Sequence, residues 1–328
     1  MTGIQSNHGV AASSTVSTSH SSAIQHGEVT GVTTSNLSMS PSQAKQGFIY
    51  APFAAEDIII QSLGKNLSRA NQGKDLYPVI SRNNGEKVLL EQYRNERIHH
   101  LSKLAKFDGE INNIMQQTGA TREQIRQQMG PTEFDKLVNA NLQIKQQIDV
   151  LKRLDIQSNE GQGQLSKLQA NKDKLYIIGH GGAGMNILAA DQACAKGMVT
   201  AGDLAKQLSE GGLSKSFSDI RVTACYSADT TSPKSFHDKD LQRAAQPVTQ
   251  RTGFLGLFGS KEVIAEPFAQ TLSNKLKSEG FEQPDVTGYH GAGVSYSREH
   301  HHRRIPESQA QDVRSSTVKQ HFHPNRLA

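Results

Sequence analysis

Two reactive side chains close two short apolar runs. His180 ends Leu175-Tyr-Ile-Ile-Gly-His, and Cys225 ends Ile220-Arg-Val-Thr-Ala-Cys. Each run reads as a short buried β-strand. In an open α/β sheet, functional groups gather just beyond the carboxyl ends of parallel strands. If these strands are neighbours, imidazole and thiol face each other across one crevice. That pairing makes a thiolate nucleophile and a proton carrier. Gly181 follows the histidine and lets the backbone approach a bound carbonyl closely. The interval between the two residues has room for one crossover between adjacent parallel strands.

The elements around the pair alternate in type. A Gly-rich turn after His180 leads into Asn186-Ile-Leu-Ala-Ala-Asp, which reads as extended. Thr200-Ala-Gly-Asp203 resembles a capping box with Asp in place of Glu and opens a helix over 204–208. Glu266-Pro267 starts another helix with Phe268, Leu272 and Leu276 on one face; Gly280 ends it, and Asp285-Val-Thr-Gly-Tyr-His supplies the next strand. The pattern predicts an α/β fold, a mostly parallel sheet flanked by helices. Upstream, a short helix is expected over 47–63 and a strand over 76–82. Asn83-Asn84-Gly85 marks a hairpin or strand-to-helix turn, and Pro78 argues for an edge position. Residues 89–170 read as polar helices that cover the sheet or extend from it, with starts at Thr121-Arg-Glu-Gln and Pro131-Thr-Glu-Phe. The expected divisions are a leader over 1–46, a mostly helical region over 47–170 with a strand or hairpin near 76–89, a core over 171–305 and a flexible tail over 306–328.

The motifs, taken in order, carry a resemblance. Ile-Ile-Gly-His180-Gly181 followed by Val-Thr-Ala224-Cys225 resembles the His-Gly and Ala-Cys signature of caspase-fold (clan CD) cysteine peptidases. His180-Gly-Gly-Ala-Gly, Thr200-Ala-Gly-Asp-Leu-Ala, Cys225-Tyr-Ser-Ala, Phe268-Ala-Gln-Thr-Leu and Val286-Thr-Gly-Tyr are similar in order and spacing to the inositol-hexakisphosphate-activated peptidase domains of MARTX and large clostridial toxins. The resemblance covers roughly residues 172–295 and implies a caspase-like fold with a helical region before or inserted into it. It implies Cys225 as nucleophile, His180 as proton carrier, and the backbone N–H groups of Gly181 and Cys225 as an oxyanion hole. A Cys-His dyad suffices in such enzymes. Asp229 is expected either to line the substrate cleft or to cap a helix. His290, in a second His-Gly pair, is expected near the specificity pocket.

Arg298-Glu-His300-His301-His302-Arg303-Arg304 is the densest basic cluster. It reads either as a solvated face or as a polyphosphate site, since guanidinium groups bind phosphate oxygens bidentately. The resemblance makes inositol hexakisphosphate the expected activator, bound by Arg298, Arg303 and Arg304 with Lys261, Lys275 and Lys277. Zinc through His300, His302, His321 and His323 lacks supporting cysteine or carboxylate spacing, so no metal is expected. Nucleic acid is disfavoured by the scarcity of aromatics near the cluster. Gly179-His-Gly181-Gly-Ala-Gly184 also satisfies a dinucleotide fingerprint, which requires a helix starting at once.

Composition narrows the setting. Of 328 residues only 35% are apolar and 5% aromatic, so part of the chain lies outside any core. Two cysteines cannot build a disulfide framework and suggest a reducing compartment. No apolar stretch is long enough for a membrane span or a Sec signal. The first 44 residues hold eleven serines and six threonines, with Glu28 the one formally charged side chain. Such a leader resembles those of bacterial type III effectors. The expected setting is therefore a host cytosol, with a host protein as substrate and a secretion chaperone as a partner at the leader. The alternative is a non-catalytic effector that binds a host partner through its helical region.

Overall fold

The computed structural model describes residues 45–161, 163–251, 261–294 and 299–325. The expected leader lies outside them, apart from its last two residues.

In chain order the elements are β1 (Gln46–Ala51), α1 (Glu56–Asn71), β2 (Val79–Ser81), α2 (Asn84–Leu104), α3 (Phe107–Thr118), α4 (Arg122–Met129), α5 (Pro131–Arg153) and β3 (Ile156–Ser158). There follow β4 (Asp173–Ile177), β5 (Ile187–Ala189), β6 (Met198–Thr200), α6 (Ala201–Glu210), β7 (Asp219–Val222), α7 (Asp238–Ala244), β8 (Val248–Arg251) and β9 (Lys261–Ala265). The chain continues through α8 (Phe268–Ser278), β10 (Asp285–Tyr289), β11 (Ala292–Val294), β12 (His302–Arg304), β13 (Val313–Arg314) and β14 (Lys319–Phe322).

The fold is α/β. A seven-stranded sheet in the order β14-β10-β7-β4-β1-β2-β3 is parallel except for β14, which runs antiparallel to β10. Its central strands are apolar on both faces, as parallel strands between helices must be: Ile49, Leu175, Ile177, Ile220 and Val222 are fully buried. One core continues from this sheet into α1, α6 and α8 through Ile58, Leu63, Leu204, Leu208, Leu272 and Leu276.

Several sequence signals fix element ends. Thr121 and Gln124 form a reciprocal capping box, Pro131 opens α5, and Thr200 Oγ1 accepts the Asp203 N–H. Asn83 accepts the Glu86 N–H, so Asn83-Asn84-Gly85 is a strand-to-helix turn.

The expected divisions differ from the structure in three places. The segment expected as a helix over 47–63 is strand β1 followed by α1. β2 lies inside the sheet between β1 and β3, because Pro78 precedes the strand and its carbonyl accepts the Ile49 N–H. The sheet is not confined to 171–305: β1, β2 and β3 come from the region expected to be helical, and β14 comes from the expected flexible tail. β2 and β3 have three residues each and β14 is polar along its length, so none shows a clear period of its own. Helices α2–α5 form the long connection between β2 and β3. Their far end has a small separate core of Ile111, Ile125 and Phe134.

Candidate active site

β4 and β7 are adjacent and parallel, with Ile177 paired to Val222. The strands end there, so His180 and Cys225 each stand three residues beyond a matched pair rather than closing the strand itself. Both line the same cavity. The two loops touch at Gly181, where a Cβ would meet Cys225 O at 2.9 Å and Ala224 Cβ at 3.1 Å. A side chain there would drive the loops apart, so glycine is needed for close approach rather than for an unusual φ.

His180 is anchored at its backbone and its ring. Its N–H donates to Ala189 O (2.8 Å), and its carbonyl accepts the Ala189 N–H (2.9 Å). Its Nε2 lies 2.9 Å from Oδ2 of Asp57, in the first turn of α1. An ionised carboxylate only accepts, so this contact places the ring proton on Nε2 and leaves Nδ1 as the basic nitrogen. The Gly179 N–H donates to Gln61 Oε1, one turn further along α1 (2.9 Å). Asp57 was missed by sequence reasoning. It precedes His180 by most of the helical region, and only the β1–β4 pairing brings α1 beside the histidine loop.

Cys225 sits in a tightly bonded loop. Tyr226, next in sequence, has left-handed backbone with φ 55°, and its N–H donates to Gly291 O (2.9 Å). That conformation costs a non-glycine residue about 1–2 kcal/mol, which the surrounding bonds offset. Ser227 Oγ donates to Val222 O and accepts the Tyr289 N–H, tying the loop to β10. The Gly293 N–H lies 3.3 Å from the Cys225 sulfur. Among the described residues, the amides of Gly181 and Cys225 have no intramolecular acceptor.

Asp229 and His290, expected along the substrate cleft, are instead buried against each other at 0% and 3% exposure. His290 Nδ1 and Asp229 Oδ1 are 2.5 Å apart, and the Gly291 N–H donates to Asp229 Oδ2. Burying a carboxylate requires such partners. The pair braces the cysteine loop against the turn after β10 and presents nothing to a substrate. Asp229 caps no helix either.

The expected basic set also separates. Arg303 is 3% exposed; its guanidinium donates to Thr223 O (3.0 Å) and Ala224 O (3.1 Å), immediately before Cys225, and lies 4.7 Å from the Tyr289 ring. Its neighbour Arg304 points the other way along the strand and pairs with Asp312 at 2.8 Å. Lys275 and Lys277 lie exposed at the end of α8, and Lys277 donates to Glu282 O. Arg298 and the Lys261 side chain lie outside the described residues.

A different set of cations surrounds the cavity, which has a volume of about 420 Å³. Lys65 and Arg69 come from α1, Arg221 from β7, Arg303 from β12, Arg314 from β13 and Lys319 from β14. Glu299 is the acid among its lining residues. Arg221 is paired with Asp219, but Lys65, Arg69, Arg303, Arg314 and Lys319 form no ion pair among the described residues. Burial first, then the charges of Arg303, Arg221, Lys174 and Arg69, hold Lys65 well below the usual lysine range. Burial, with Lys65 and Arg303 beside it, pushes His301 down to about 3. These cations are scattered from residue 65 to residue 319, so the local run that contains Arg303 could not reveal the rest.

No protein-family model matches the chain, and no curated protein matches it in sequence. One alternative chemistry loses its geometric requirement. The Gly179–Gly184 turn leads into β5 rather than a helix, which removes the phosphate-facing helix start of a dinucleotide site. Among the described residues, no three His, Cys, Asp or Glu side chains are grouped to hold a metal. Nor is any described helix long and apolar enough to cross a membrane.

Proposed function

We propose that the chain is a cysteine endopeptidase with a caspase-like catalytic arrangement, activated by inositol hexakisphosphate. The observation that carries the reading is the register of β4 and β7, which sets His180 and Cys225 at equal distances past two adjacent strand ends. In the proposed reaction, Cys225 attacks the scissile carbonyl as thiolate. The amides of Gly181 and Cys225 donate to the oxyanion, each such donor being worth about 3 kcal/mol. His180, oriented by Asp57, protonates the leaving amine and then activates water to hydrolyse the thioester.

The activator reading draws on the cation-lined cavity beside Cys225. Burial first, and then neighbouring positive charge, depresses Lys65, and a polyanion there would offset the second of these. Through Arg303 the same cations reach the carbonyls that precede the nucleophile. The protein would work as a type III effector on a host protein, or on itself, in the host cytosol, with a secretion chaperone at its leader. A non-catalytic role draws on the helical arm, where Leu104, Ile114, Met129 and Leu142 are exposed and available to a partner. The test is an unbiased peptide-library digestion with inositol hexakisphosphate. Cleavage by the wild type and none by Cys225→Ala supports the peptidase; equal cleavage by both rejects it.

A further inference from the structure

The end of β10, the turn after it and β11 run beside the cysteine loop as an irregular antiparallel pair. The Ala228 N–H donates to Tyr289 O (3.2 Å), and two residues on in each segment the Tyr226 N–H donates to Gly291 O (2.9 Å). The next backbone acceptor in that register is Ala224 O, opposite Gly293, and the Arg303 guanidinium occupies it (3.1 Å). The Gly293 N–H donates instead to the Cys225 sulfur at 3.3 Å. Gly293 also stands opposite Arg303 of β12, and an N–H aimed at the cysteine loop makes that a non-hydrogen-bonded pair of the β11–β12 ladder. One edge of β11 therefore meets β12, and the other meets the proposed nucleophile. Among the described residues, the Gly293 N–H is the one group hydrogen-bonded to that sulfur.

We propose that the Gly293 N–H is a catalytic hydrogen-bond donor to the Cys225 thiolate. This deepens the peptidase reading and rests on it. A thiolate accepts a hydrogen bond far better than a thiol or a thioester does, so the donor favours the charged forms on the reaction path. Before attack it raises the thiolate fraction. In deacylation, water forms the new C–O bond and gives a proton to His180, while the C–S bond breaks with its electron pair going to sulfur. The same N–H meets that returning charge. The titratable and charged groups on the elements around the sulfur are His180 with its partner Asp57, Lys65 on α1, Arg303 on β12, and Tyr226 and Asp229 in its own loop. All of them persist when only position 293 is changed, so a change there isolates the backbone donor.

The test is the Gly293 amide resonance in NMR spectra of the full chain carrying isotope-labelled glycine, assigned by its loss in Gly293→Ala. The hydrogen bond predicts that this resonance moves with pH at the midpoint of Cys225 alkylation by iodoacetamide. The movement should vanish once Cys225 is carboxamidomethylated. The Gly291 amide, which donates to Asp229 Oδ2, is the reference. A Gly293 resonance that stays still, or moves no further than that of Gly291, overturns the proposal. Gly293→Pro removes the donor at an N–H that the β12 ladder does not use. It is expected to lower the Cys225 thiolate fraction at neutral pH about tenfold, read as an alkylation pH profile displaced upward while that of Cys194 stays in place. An unchanged profile in folded Gly293→Pro also overturns the proposal. The resonance is read on the unsubstituted chain, so it decides the question even where Gly293→Pro does not fold. Absence of peptide cleavage by the wild type would remove the catalytic meaning of the donor, and the NMR result would still report the hydrogen bond.

Discussion

The helical arm and the basic cavity are both rich in charge, and they treat it in opposite ways. In the arm, cations meet carboxylates: Lys145 and Arg122 on Asp108, Arg126 on Asp135 and Arg153 on Asp149. These pairs are solvated, and each contributes little to stability. In the cavity, Lys65, Arg69, Lys74, Arg303, Arg314 and Lys319 gather with no carboxylate paired to them among the described residues, and burial with neighbouring positive charge lowers the pKa of Lys65 and His301. Arg303 braces the carbonyls before Cys225, and Lys65 and Arg69 lie over the Tyr176 and Tyr77 rings, but none of these cations gains a carboxylate partner on folding, which is what the proposed anion would supply. Charge density in the sequence did not separate the two regions, whereas pairing does.

The comparison is broken most severely at the proposed catalytic pair. Cys225→Ala and His180→Ala are expected to lower peptidase activity by about a thousandfold or more, whereas Cys194→Ala retains it. Among the described residues, Cys194 has no base as a hydrogen-bond partner. Activity surviving in Cys225→Ala would show that the cavity serves binding alone.

Next in size is Arg303→Ala. It leaves three buried carbonyls without a charged donor, at a cost of about 3 kcal/mol or more in urea unfolding. Arg126→Ala in the arm should leave the unfolding midpoint unchanged. Equal effects would erase the distinction between a buried structural cation and a solvated one.

Ligand stabilisation sharpens the contrast. Inositol hexakisphosphate at one hundred times its Kd should add about 2.7 kcal/mol, read as a raised melting temperature. Lys65→Ala and high salt should each diminish the shift, and Lys145→Ala in the arm should not. A shift that persists in Lys65→Ala places the anion elsewhere.

The smallest effect concerns protons. His301 titrates near 3 in the folded chain against 6.5 for an ordinary histidine, so between these values the unfolded state binds the additional proton. Stability therefore falls as pH drops through that window. His301→Gln should flatten part of this slope, and a polyanion in the cavity should raise the His301 titration point. Identical pH profiles for His301→Gln and the wild type would remove His301 from this account.

The sequence made some of this legible because the signals were local. The apolar runs before His180 and Cys225, the caps at Thr121 and Thr200, and the α8 stripe are each set by neighbours within a few residues. They sufficed for the fold class; the adjacency of the two strands is a condition that the β4–β7 pairing meets. The remainder depends on long-range pairing. Asp57 reaches His180 only because β1 lies beside β4, and Lys65 meets Arg303 only because α1 packs across from β12. β14 is polar along its length and joins the sheet by backbone hydrogen bonds, which composition does not reveal. The basic run divides in the structure, since alternation along β12 buries Arg303 at the cavity and sends Arg304 outward to Asp312.

The most direct test of the central claim is the alkylation rate of Cys225, followed by mass spectrometry with and without inositol hexakisphosphate. The thiolate is the reactive form, so the rate reports whether the imidazole is aligned to take the proton. The account predicts that the ligand accelerates alkylation at Cys225 about tenfold or more while Cys194 is unaffected, and that His180→Ala abolishes the acceleration. Equal rates at Cys225 with and without ligand, under conditions where calorimetry shows the ligand bound, would contradict it.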